Sequence, residues 1–402
     1  MMVWEMRFRL AFVVLALLTA LVAPVLAQEF ETKAKFAVLM DSESGTILLN
    51  KNADERLEPA SMSKLMTLAV VFTYLQQGKL SLNDEFFISE NAWRTGGASS
   101  GGSTMFAELN SQIRVEDLVK SVIIQSGNDA AIALAEGIGG TEQTFAKIEN
   151  TLAKQIGLNG SNFVNSTGLP DPNQYSTARD LALLARYIIN TFPEYYATFS
   201  EPEFTWNKIR QLNRNSLLET GIGVDGLKTG HTEAAGYGEV ISAPNDGRRL
   251  IAVIHGLESM KERTEEGRKL ITWGMRGFEL LPVYPKDKIV AYANVYGGKE
   301  PNVGLVGKDK IDLFLPKGAE NCPVATVTYK GPLRPPVLQG QQVGKLNIYC
   351  ADVLVQETPL YAIATVEDGD LFRKSADAAK QLLLGWLPSV SYTHLRARIH
   401  LE

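Results

Sequence analysis

Residues 59–66 read PASMSKLM, which places Ser61 and Lys64 three positions apart at the start of an apolar run. The run continues to Leu75 and predicts a buried helix that ends before Gly78. Residues three apart lie on one face of a helix, so the hydroxyl and the amine are expected to be neighbours. A serine is an ordinary helix cap, but a lysine facing a buried helix needs another explanation.

Two interpretations of this stretch are open. In the first, a serine caps the helix and the lysine is exposed, and Ser63 could be that cap as well as Ser61. In the second, Ser61 is a nucleophile, which requires a base to accept its proton. Lys64 can be that base where burial or another positive charge lowers its pKa from about 10.4. Backbone N–H groups at the helix start would then face a developing oxyanion.

The composition bounds the class of protein. The chain has 402 residues, with 40 Lys and Arg against 45 Asp and Glu and a formal net charge of −5. This length allows two domains. A mildly acidic chain without a run of one charge lacks the basic patch of a nucleic-acid-binding protein, so no nucleic-acid partner is expected.

The N-terminus has the features of a secretory signal peptide. Arg7 and Arg9 precede the apolar run LAFVVLALLTALVAPVLA, which ends at the small residue Ala27. We expect residues 1–27 to be removed and the mature chain to be exported. The alternative is a single membrane anchor, because the run approaches spanning length, but Pro24 and the small-residue exit favour cleavage.

The two cysteines, Cys322 and Cys350, lie in the last third of the chain. Export places them in an oxidising compartment, where they either form a disulfide or remain separate small apolar residues. They lack CxxC spacing and the four histidines are scattered, so we expect neither a zinc nor a haem site.

The pattern after the signal peptide predicts an α+β region. Residues 35–50 predict two strands around a turn, and residues 115–184 are mostly helical. Strands return after Leu217 as an antiparallel meander with a hairpin turn at residues 245–247. A long helix is then predicted from about Ser259 to about residue 281.

The last part of the chain is different. From Ile289 to about Val366, short β-rich runs alternate with Gly and Pro turns, which predicts a small all-β domain of sandwich type. Residues 371–388 (LFRKSADAAKQLLLGWLP) have an apolar face and a few basic residues. They predict a helix that either binds a membrane surface or caps the β domain. Residues 389–402 match neither pattern.

Two further short motifs could carry chemistry. Ser-x-Asn occurs at residues 81–83, 89–91 and 126–128, and only the last lies between two apolar helical runs, where a loop could enter a cleft. The other two lie among charges and are predicted surface turns. Lys-Thr-Gly occurs once, at residues 228–230 in a predicted strand. Neither motif is decisive alone. Ser-x-Asn occurs three times in this chain, and an exposed lysine at a strand edge is common.

The three motifs together are specific. Ser-x-x-Lys opening a helix, Ser-x-Asn between helices and Lys-Thr-Gly on a later strand are, in this order, the signature of active-site-serine penicillin-interacting enzymes. The chain further resembles the D-alanyl-D-alanine carboxypeptidases, the low-molecular-mass penicillin-binding proteins. The segments that carry this resemblance are GLKTGHT (226–232), AGY (235–237), IQSGNDA (124–130), YSTARD (175–180) and LITWG (270–274).

The resemblance implies an α+β fold in two domains. A β-lactamase/transpeptidase-like domain, an antiparallel sheet with a helical cluster, is expected at residues 28–284 after the signal peptide (1–27). The β-rich sandwich-type domain follows at residues 285–368. An amphipathic anchor helix at 369–388 and an atypical tail at 389–402 complete the predicted order.

The resemblance also implies catalytic roles. Ser61 is expected to be the nucleophile and Lys64 its general base. Ser126 and Lys228 are expected to relay a proton toward the departing amine, and Lys228 to keep Lys64 neutral by repulsion between like charges.

Substrate-binding roles are implied in the same way. Asn128 is expected to bond the substrate's amide, and the strand with Thr229, Gly230 and His231 to pair with the peptide backbone. The backbone N–H groups of Ser61 and His231 would form the oxyanion hole.

Two arginines and one loop complete the implied site. Arg214 and Arg263 match family arginines near the site, and each is either a ligand of the substrate's terminal carboxylate or an exposed surface charge. The stretch TGGASSGGSTMF (95–106) resembles a loop bordering the cleft, although it is unusually rich in Gly and Ser for the family.

The implied reaction is acyl transfer on peptidoglycan stem pentapeptides. The enzyme would release the last D-alanine and hydrolyse the acyl-enzyme with water, without a metal or organic cofactor. β-Lactams would acylate Ser61 because they mimic the D-Ala–D-Ala dipeptide. The expected location is the periplasm, with peripheral association with the outer face of the inner membrane as a further expectation.

Three other interpretations are weighed. A class A β-lactamase shares the motifs but needs a glutamate that activates the deacylating water. No Glu-x-x-Leu-Asn occurs between Asn128 and Lys228, and that class lacks a second β domain. A D,D-endopeptidase would use the same serine on cross-links. A non-catalytic, membrane-proximal scaffold is disfavoured because all motif residues are present.

Overall fold

The computed structural model describes residues 30–317, 324–350, 353–384 and 395–398. The predicted signal peptide, Cys322 and most of the tail lie outside the described residues, so cleavage and disulfide pairing remain predictions. The α-helices are α1 (Lys64–Gln76), α2 (Val115–Ile124), α3 (Asn128–Gly139), α4 (Glu142–Gln155), α5 (Ala178–Thr191), α6 (Pro193–Tyr196), α7 (Met260–Arg276) and α8 (Leu371–Leu384).

The strands fall into one large antiparallel sheet and several two-stranded ones. The bounds are β1 (Phe36–Asp41), β2 (Ile47–Lys51), β3 (Glu85–Phe87), β4 (Gln112–Arg114), β5 (Glu203–Trp206), β6 (Ile209–Leu212), β7 (Gly226–Thr232), β8 (Gly236–Asn245), β9 (Arg248–Leu257), β10 (Phe278–Tyr284), β11 (Ala291–Asn294), β12 (Asn302–Val306), β13 (Ile311–Pro316), β14 (Val324–Tyr329), β15 (Gln342–Cys350), β16 (Val353–Ala362) and β17 (Leu395–Arg398). The order along the large sheet is β7-β8-β9-β1-β2-β16-β15-β14-β17, and β12 joins β16 to β11.

Helix α1 runs through the core of the first part of the chain. Every residue from 64 to 72 is buried, because α1 is apolar around its whole circumference rather than along one stripe. Its side chains pack with those of α2, α3, α5 and the inner face of β1 and β9. A short 3₁₀ helix, Ala60–Ser63, precedes α1 and lies against β7 and β8. The start of α1 is therefore fixed against the last strands of the sheet.

The C-terminal β-rich part has its own apolar core, built from strands β11 to β16. It meets the first part through β16 and β2, which pair at Glu357 and Ile47. Two ion pairs cross the same boundary: Arg179 with Glu357 at 2.7 Å and Arg248 with Asp312 at 2.8 Å. The predicted α+β fold class is confirmed, and the domain boundary at residue 285 stays a prediction.

The helix predicted from about Ser259 to about residue 281 is wrong at its C-terminal end. Helix α7 ends at Arg276, and the chain continues at Phe278 as strand β10. The physical reason is long-range pairing: residues 278–284 bond antiparallel to β13. Apolar residues in this segment fit a helix or a strand, so the local pattern could not reveal the partner.

Helix α8 confirms a helix in the predicted C-terminal segment. The carboxylate of Asp377, on α8, accepts a hydrogen bond from the backbone N–H of Gly297 at 2.9 Å. This contact joins α8 to the β-rich part. Leu371 and Phe372 at its start are each 84% exposed. Among the described residues, we find no helix with the length and apolar character needed to cross a membrane.

Candidate active site

A cleft of about 650 Å³ opens where the 3₁₀ helix, the α2–α3 turn and strand β7 meet. Both serines and both arginines predicted from the sequence line it. The lining residues used below are Ser61, Ser126, Thr229, Gly230, His231, Arg214 and Arg263. Lys64, Asn128 and Lys228 lie behind this surface, each at most 5% exposed.

In the 3₁₀ helix, Ser61 faces the cleft and Ser63 is buried. Ser61 is half-buried and faces the cleft, and Ala60 before it has a left-handed backbone (φ 47°). Ser63 is buried, and its hydroxyl donates to the carbonyl of Ala60 at 3.0 Å. The left-handed backbone is uncommon for a residue with a Cβ and is over-represented at functional sites. Of Ser61 and Ser63, only Ser61 can therefore contact a ligand in the cleft.

The amine of Lys64 is fully buried and has three oxygen neighbours. Its Nζ lies 3.0 Å from Ser61 Oγ, 2.7 Å from Asn128 Oδ1 and 2.5 Å from the carbonyl oxygen of Thr167. The amide and carbonyl oxygens can only accept, whereas a serine hydroxyl can donate. A neutral amine gives its two hydrogens to those acceptors and keeps its lone pair for the hydroxyl of Ser61. This geometry suits a general base.

Burial is the main cause of the low pKa of Lys64. It lowers the pKa to about 7, and the negative charge of Asp129 opposes the shift. Burial also lowers the pKa of Lys228 well below its usual range, and repulsion from Lys64 lowers it further. Repulsion between the two amines disfavours their simultaneous protonation, so the role of Lys228 in keeping Lys64 neutral stays a prediction beside the effect of burial.

The turn between α2 and α3 carries Ser126 and Asn128. Ser126 has a left-handed backbone (φ 72°), and its buried hydroxyl has no hydrogen-bond partner among the described residues. Lys228 Nζ donates to the carbonyl of Thr229 at 3.2 Å. The two ends of the predicted relay thus border one site without a direct hydrogen bond between them in the described structure. Residues 81–83 lie in a surface turn, as predicted, whereas Glu90 and Asn91 are helical, so the prediction of a turn at 89–91 is wrong.

Strand β7 is at the end of the sheet order, with its outer edge toward the cleft. Gly230 lies so close to the 3₁₀ helix that a Cβ would stand 3.0 Å from the carbonyl oxygen of Pro59 and 3.2 Å from the backbone nitrogen of Met62. His231 is exposed, and its ring stacks on Tyr237 with 3.9 Å between centroids. A glycine at 230 is what lets the strand approach the serine.

The two predicted arginines differ in environment. Arg214 has an exposed side chain, whereas Arg263 is 4% exposed and its Nη2 donates to the carbonyl of Arg214 at 3.1 Å. Arg263 Nε lies 3.5 Å from a carboxylate oxygen of Glu239. Both residues line the cleft; the alternative of an exposed surface charge is wrong for Arg263, which is buried, and stays open for Arg214.

Sequence reasoning missed three contributors to the site. The carbonyl of Thr167 has no side-chain signature, and Glu239 was visible only as one acidic residue in an apolar strand. Asp129, next to the Ser-x-Asn motif, accepts from Thr104 Oγ1 at 2.6 Å and from the backbone of Met105 at 2.9 Å. Gly96, in the Gly/Ser-rich loop, has no room for a Cβ, which would stand 2.3 Å from the Asp129 nitrogen. At least this glycine of the loop is therefore required by close packing against the backbone of Asp129.

The arrangement of a cleft serine, a buried amine within hydrogen-bonding distance, a second serine and a second lysine can support acyl transfer through a serine. Comparison with known families agrees with this class. The family model of D-alanyl-D-alanine carboxypeptidase matches residues 23–259. The model of the penicillin-binding protein 5 C-terminal domain matches residues 278–368.

Relatives extend the similarity over most of the chain. D-alanyl-D-alanine carboxypeptidase DacC of Escherichia coli is 39% identical over 94% of this chain and 96% of its own length. The crystal structure of penicillin binding protein 5 from Haemophilus influenzae has 40% identity, covers 85% of this chain and 99% of that chain, and gives a TM-score of 0.67. Penicillin-binding protein D2 from Listeria monocytogenes, in its ampicillin-bound form, has 30% identity, covers 62% of this chain and 99% of that chain, and gives a TM-score of 0.54. The chain belongs to the D-alanyl-D-alanine carboxypeptidase family.

Proposed function

We propose that the protein is a serine-type D-Ala-D-Ala carboxypeptidase that removes the terminal D-alanine from peptidoglycan stem pentapeptides through an acyl-enzyme on Ser61. The observation that carries the proposal is the position of Lys64, whose buried amine lies 3.0 Å from Ser61 Oγ with its other two neighbours both acceptors. Family membership supports the same activity.

In the acylation step, neutral Lys64 accepts the proton of Ser61 as Oγ attacks the carbonyl carbon between the two D-alanines. The Oγ–C bond forms, the oxygen becomes an oxyanion, and the C–N bond then breaks. The departing amine takes up the proton that Lys64 accepted from Ser61, along a path bordered by Ser126 and Lys228, and this transfer leaves Lys64 neutral. Backbone N–H groups of Ser61 and His231 are assigned to the oxyanion.

In the deacylation step, water replaces the D-alanine that has left. Lys64, neutral again, accepts a proton from the water, the hydroxide attacks the ester carbon, and the bond to Ser61 Oγ breaks with return of the proton to that oxygen. The product is a tetrapeptide that ends in a D-alanine carboxylate. All proton transfers involve side chains of the chain itself.

Substrate binding is assigned to the remaining cleft residues. Asn128, whose amide oxygen is held by Lys64, has an NH₂ group to offer to a peptide carbonyl. The outer edge of β7 at Thr229–His231 can add the substrate as an extended strand. Arg214 and Arg263 supply the positive charge for the terminal carboxylate. β-Lactams share that carboxylate and are expected to acylate Ser61, as the ampicillin-bound form of the Listeria relative suggests.

Mass spectrometry of the penicillin-labelled protein tests the proposal. A single adduct on the peptide with Ser61 is expected, and Ser61→Ala should lower D-alanine release by roughly 10⁴-fold or more. Ser63→Ala is the matched control, two residues away with its hydroxyl bonded to Ala60, and should keep the adduct. D-Alanine release by Ser61→Ala at the wild-type rate would reject the assignment.

Product analysis separates the related activities. A stem pentapeptide should lose one D-alanine, whereas a cross-linked dimer that is cut faster would make the protein a D,D-endopeptidase. Steady release of hydrolysed penicillin at roughly tens per second would indicate a β-lactamase.

We also propose that the exported protein lies in the periplasm and that α8 associates with the membrane surface. The exposed pair Leu371 and Phe372 offers apolar side chains next to Arg373 and Lys374. The protein should sediment with anionic vesicles, and the double variant Leu371→Ser, Phe372→Ser should sediment less. Full recovery of the intact wild-type protein in the supernatant would reject membrane association.

A further inference from the structure

A buried carboxylate lies behind the cleft and takes no part in the proposed proton transfers. Glu239, on β8, is 0% exposed, and neither of its carboxylate oxygens has a hydrogen-bond partner among the described residues. It is paired across the sheet with Thr229 of the Lys-Thr-Gly strand. A buried charge without partners is costly, so its retention in an apolar strand calls for a compensating role.

The nearest positive charge is Arg263, whose Nε lies 3.5 Å from Glu239 and also has no hydrogen-bond partner in the described part of the chain. The other end of the same guanidinium donates to the carbonyl of Arg214. These contacts form a chain from Glu239 through Arg263 to the backbone of Arg214. Both arginines line the cleft, so this chain links the interior of the sheet to the place where a substrate carboxylate would bind.

The charges around Glu239 favour its ionised form, which can pair with Arg263. Burial raises the pKa of Glu239 to about 7, while the charges of Arg263 and Lys228 oppose that rise. As a carboxylate, Glu239 has a charged guanidinium to hold; as a neutral acid, it would leave Arg263 with fewer constraints on its orientation. Since a carboxylate ligand needs a well-oriented guanidinium fork, small changes in this orientation affect binding.

We propose that Glu239 is a positioning residue for recognition of the substrate's terminal carboxylate: it holds Arg263, and through Arg263 the segment with Arg214, in the orientation that the cleft requires. The proposal rests on the proposed function. It assigns Glu239 no contact with the substrate and no proton transfer.

The test compares two peptides, one ending in D-Ala-D-Ala with a free carboxylate and the other with the same end as a carboxamide. Glu239→Gln keeps the size of the side chain and removes its charge. We expect KM for the free acid to rise by about tenfold to 100-fold, kcat to change by less than about threefold, and the preference of kcat/KM for the acid over the amide to fall. A purely structural role would lower both activities equally.

Three controls complete the design. Glu149→Gln is the control, because Glu149 is also 0% exposed but accepts a hydrogen bond from Thr67 Oγ1 outside the cleft, and the change should not alter the acid-to-amide preference. Glu239→Leu replaces the buried charge with an apolar side chain, which such sites often tolerate, and gives a second variant if Glu239→Gln is unstable. In an Arg263→Gln background, Glu239→Gln should add little to the loss.

The outcomes are distinguishable. An active wild type whose acid-to-amide preference is unchanged in folded Glu239→Gln or Glu239→Leu overturns the inference alone. Additive losses in the double variant with Arg263→Gln overturn it as well. A wild type that releases no D-alanine from the acid peptide overturns the proposed function instead.

Discussion

The Nζ atom of Lys64 lies 3.0 Å from Oγ of Ser61, and the other two oxygens around it can only accept hydrogen bonds. Asn128 and the carbonyl of Thr167 thereby use both hydrogens of the neutral amine. The lone pair remains for the hydroxyl of Ser61. The protonation state needed for catalysis is thus favoured by burial, and the direction of the lone pair by two acceptors from distant parts of the chain.

The first prediction concerns the pH dependence of acylation. Because burial lowers the pKa of Lys64 to about 7, kcat/KM for the pentapeptide should rise as the pH increases through about 7 and then level off. Lys64→Arg should lose acylation by penicillin at every pH, since a guanidinium stays protonated. Stopped-flow acylation between pH 5 and 9 measures both.

The exposed Lys79, on the far side of Gly78 from α1, gives the control for this experiment. Lys79→Arg should reproduce the wild-type profile. A wild-type rate that is flat between pH 5.5 and 8.5, or a Lys64→Arg variant that is acylated at the wild-type rate, would contradict the assignment of Lys64 as the base.

The sequence predicted the parts of the site that depend on local periodicity. The spacing of Ser61 and Lys64, the break that carries Ser126, and the strand with Lys228 all follow from helical and strand patterns, and each was placed correctly. The fold class followed from the same patterns and from family resemblance. The hairpin turn predicted at residues 245–247 joins β8 to β9.

What could not be predicted depends on contacts between distant residues. The carbonyl of Thr167 meets Lys64 across 103 positions, and a backbone oxygen has no sequence signature. Helix α7 was predicted too long because β10 is specified by its partner β13 rather than by its own residues. Glu239 was visible in its strand, but nothing local indicated that Arg263 would lie beside it.

The second prediction concerns Ser126, whose side chain and backbone can be tested separately. Ser126→Ala and Ser126→Gly both remove the buried hydroxyl, so both should lower kcat by roughly 10²–10⁴-fold if it relays a proton. Only glycine relieves the left-handed backbone at φ 72°, which costs an ordinary residue about 1 kcal/mol or more. Ser126→Gly should therefore unfold at a higher temperature than Ser126→Ala.

Calorimetry and a D-alanine assay on the same preparations give the two readouts. Equal melting temperatures would mean that the backbone at residue 126 is not strained, and wild-type kcat in either variant would remove Ser126 from the proposed relay.

The third prediction concerns the arginines of the cleft. Arg214→Gln should raise KM for a peptide with a free terminal carboxylate by about ten- to 100-fold, as expected for the loss of a charged hydrogen bond of roughly 1.5–3 kcal/mol. The carboxamide peptide should be affected much less. Arg210→Gln is the matched control, since Arg210 lines the same cleft but its guanidinium pairs with Glu203.

Comparison of Arg210→Gln with Arg214→Gln can reject a specific role for Arg214. If Arg210→Gln and Arg214→Gln raise KM for the acid peptide equally, then general positive charge in the cleft, rather than the position of Arg214, attracts the substrate.

The fourth prediction concerns the effect of the buried amine of Lys64 on the pH dependence of stability. The folded-state pKa of Lys64 is about 7, below the usual value of 10.5 that applies in the unfolded chain. Between these two values the unfolded chain holds a proton that the folded protein lacks, so the free energy of unfolding rises with pH by about 1.4 kcal/mol per pH unit for this one group. Lys64→Met removes that contribution, and its unfolding free energy should rise less steeply than that of the wild type between pH 7.5 and 9.5.

The hydrogen bonds lost at Asn128 and Thr167 shift the curve without changing its slope, because those groups do not titrate. Lys79→Met, which removes an exposed lysine, should keep the wild-type slope. Parallel curves for Lys64→Met and the wild type in urea titrations would mean that Lys64 is protonated in the folded protein and is not the resting-state base.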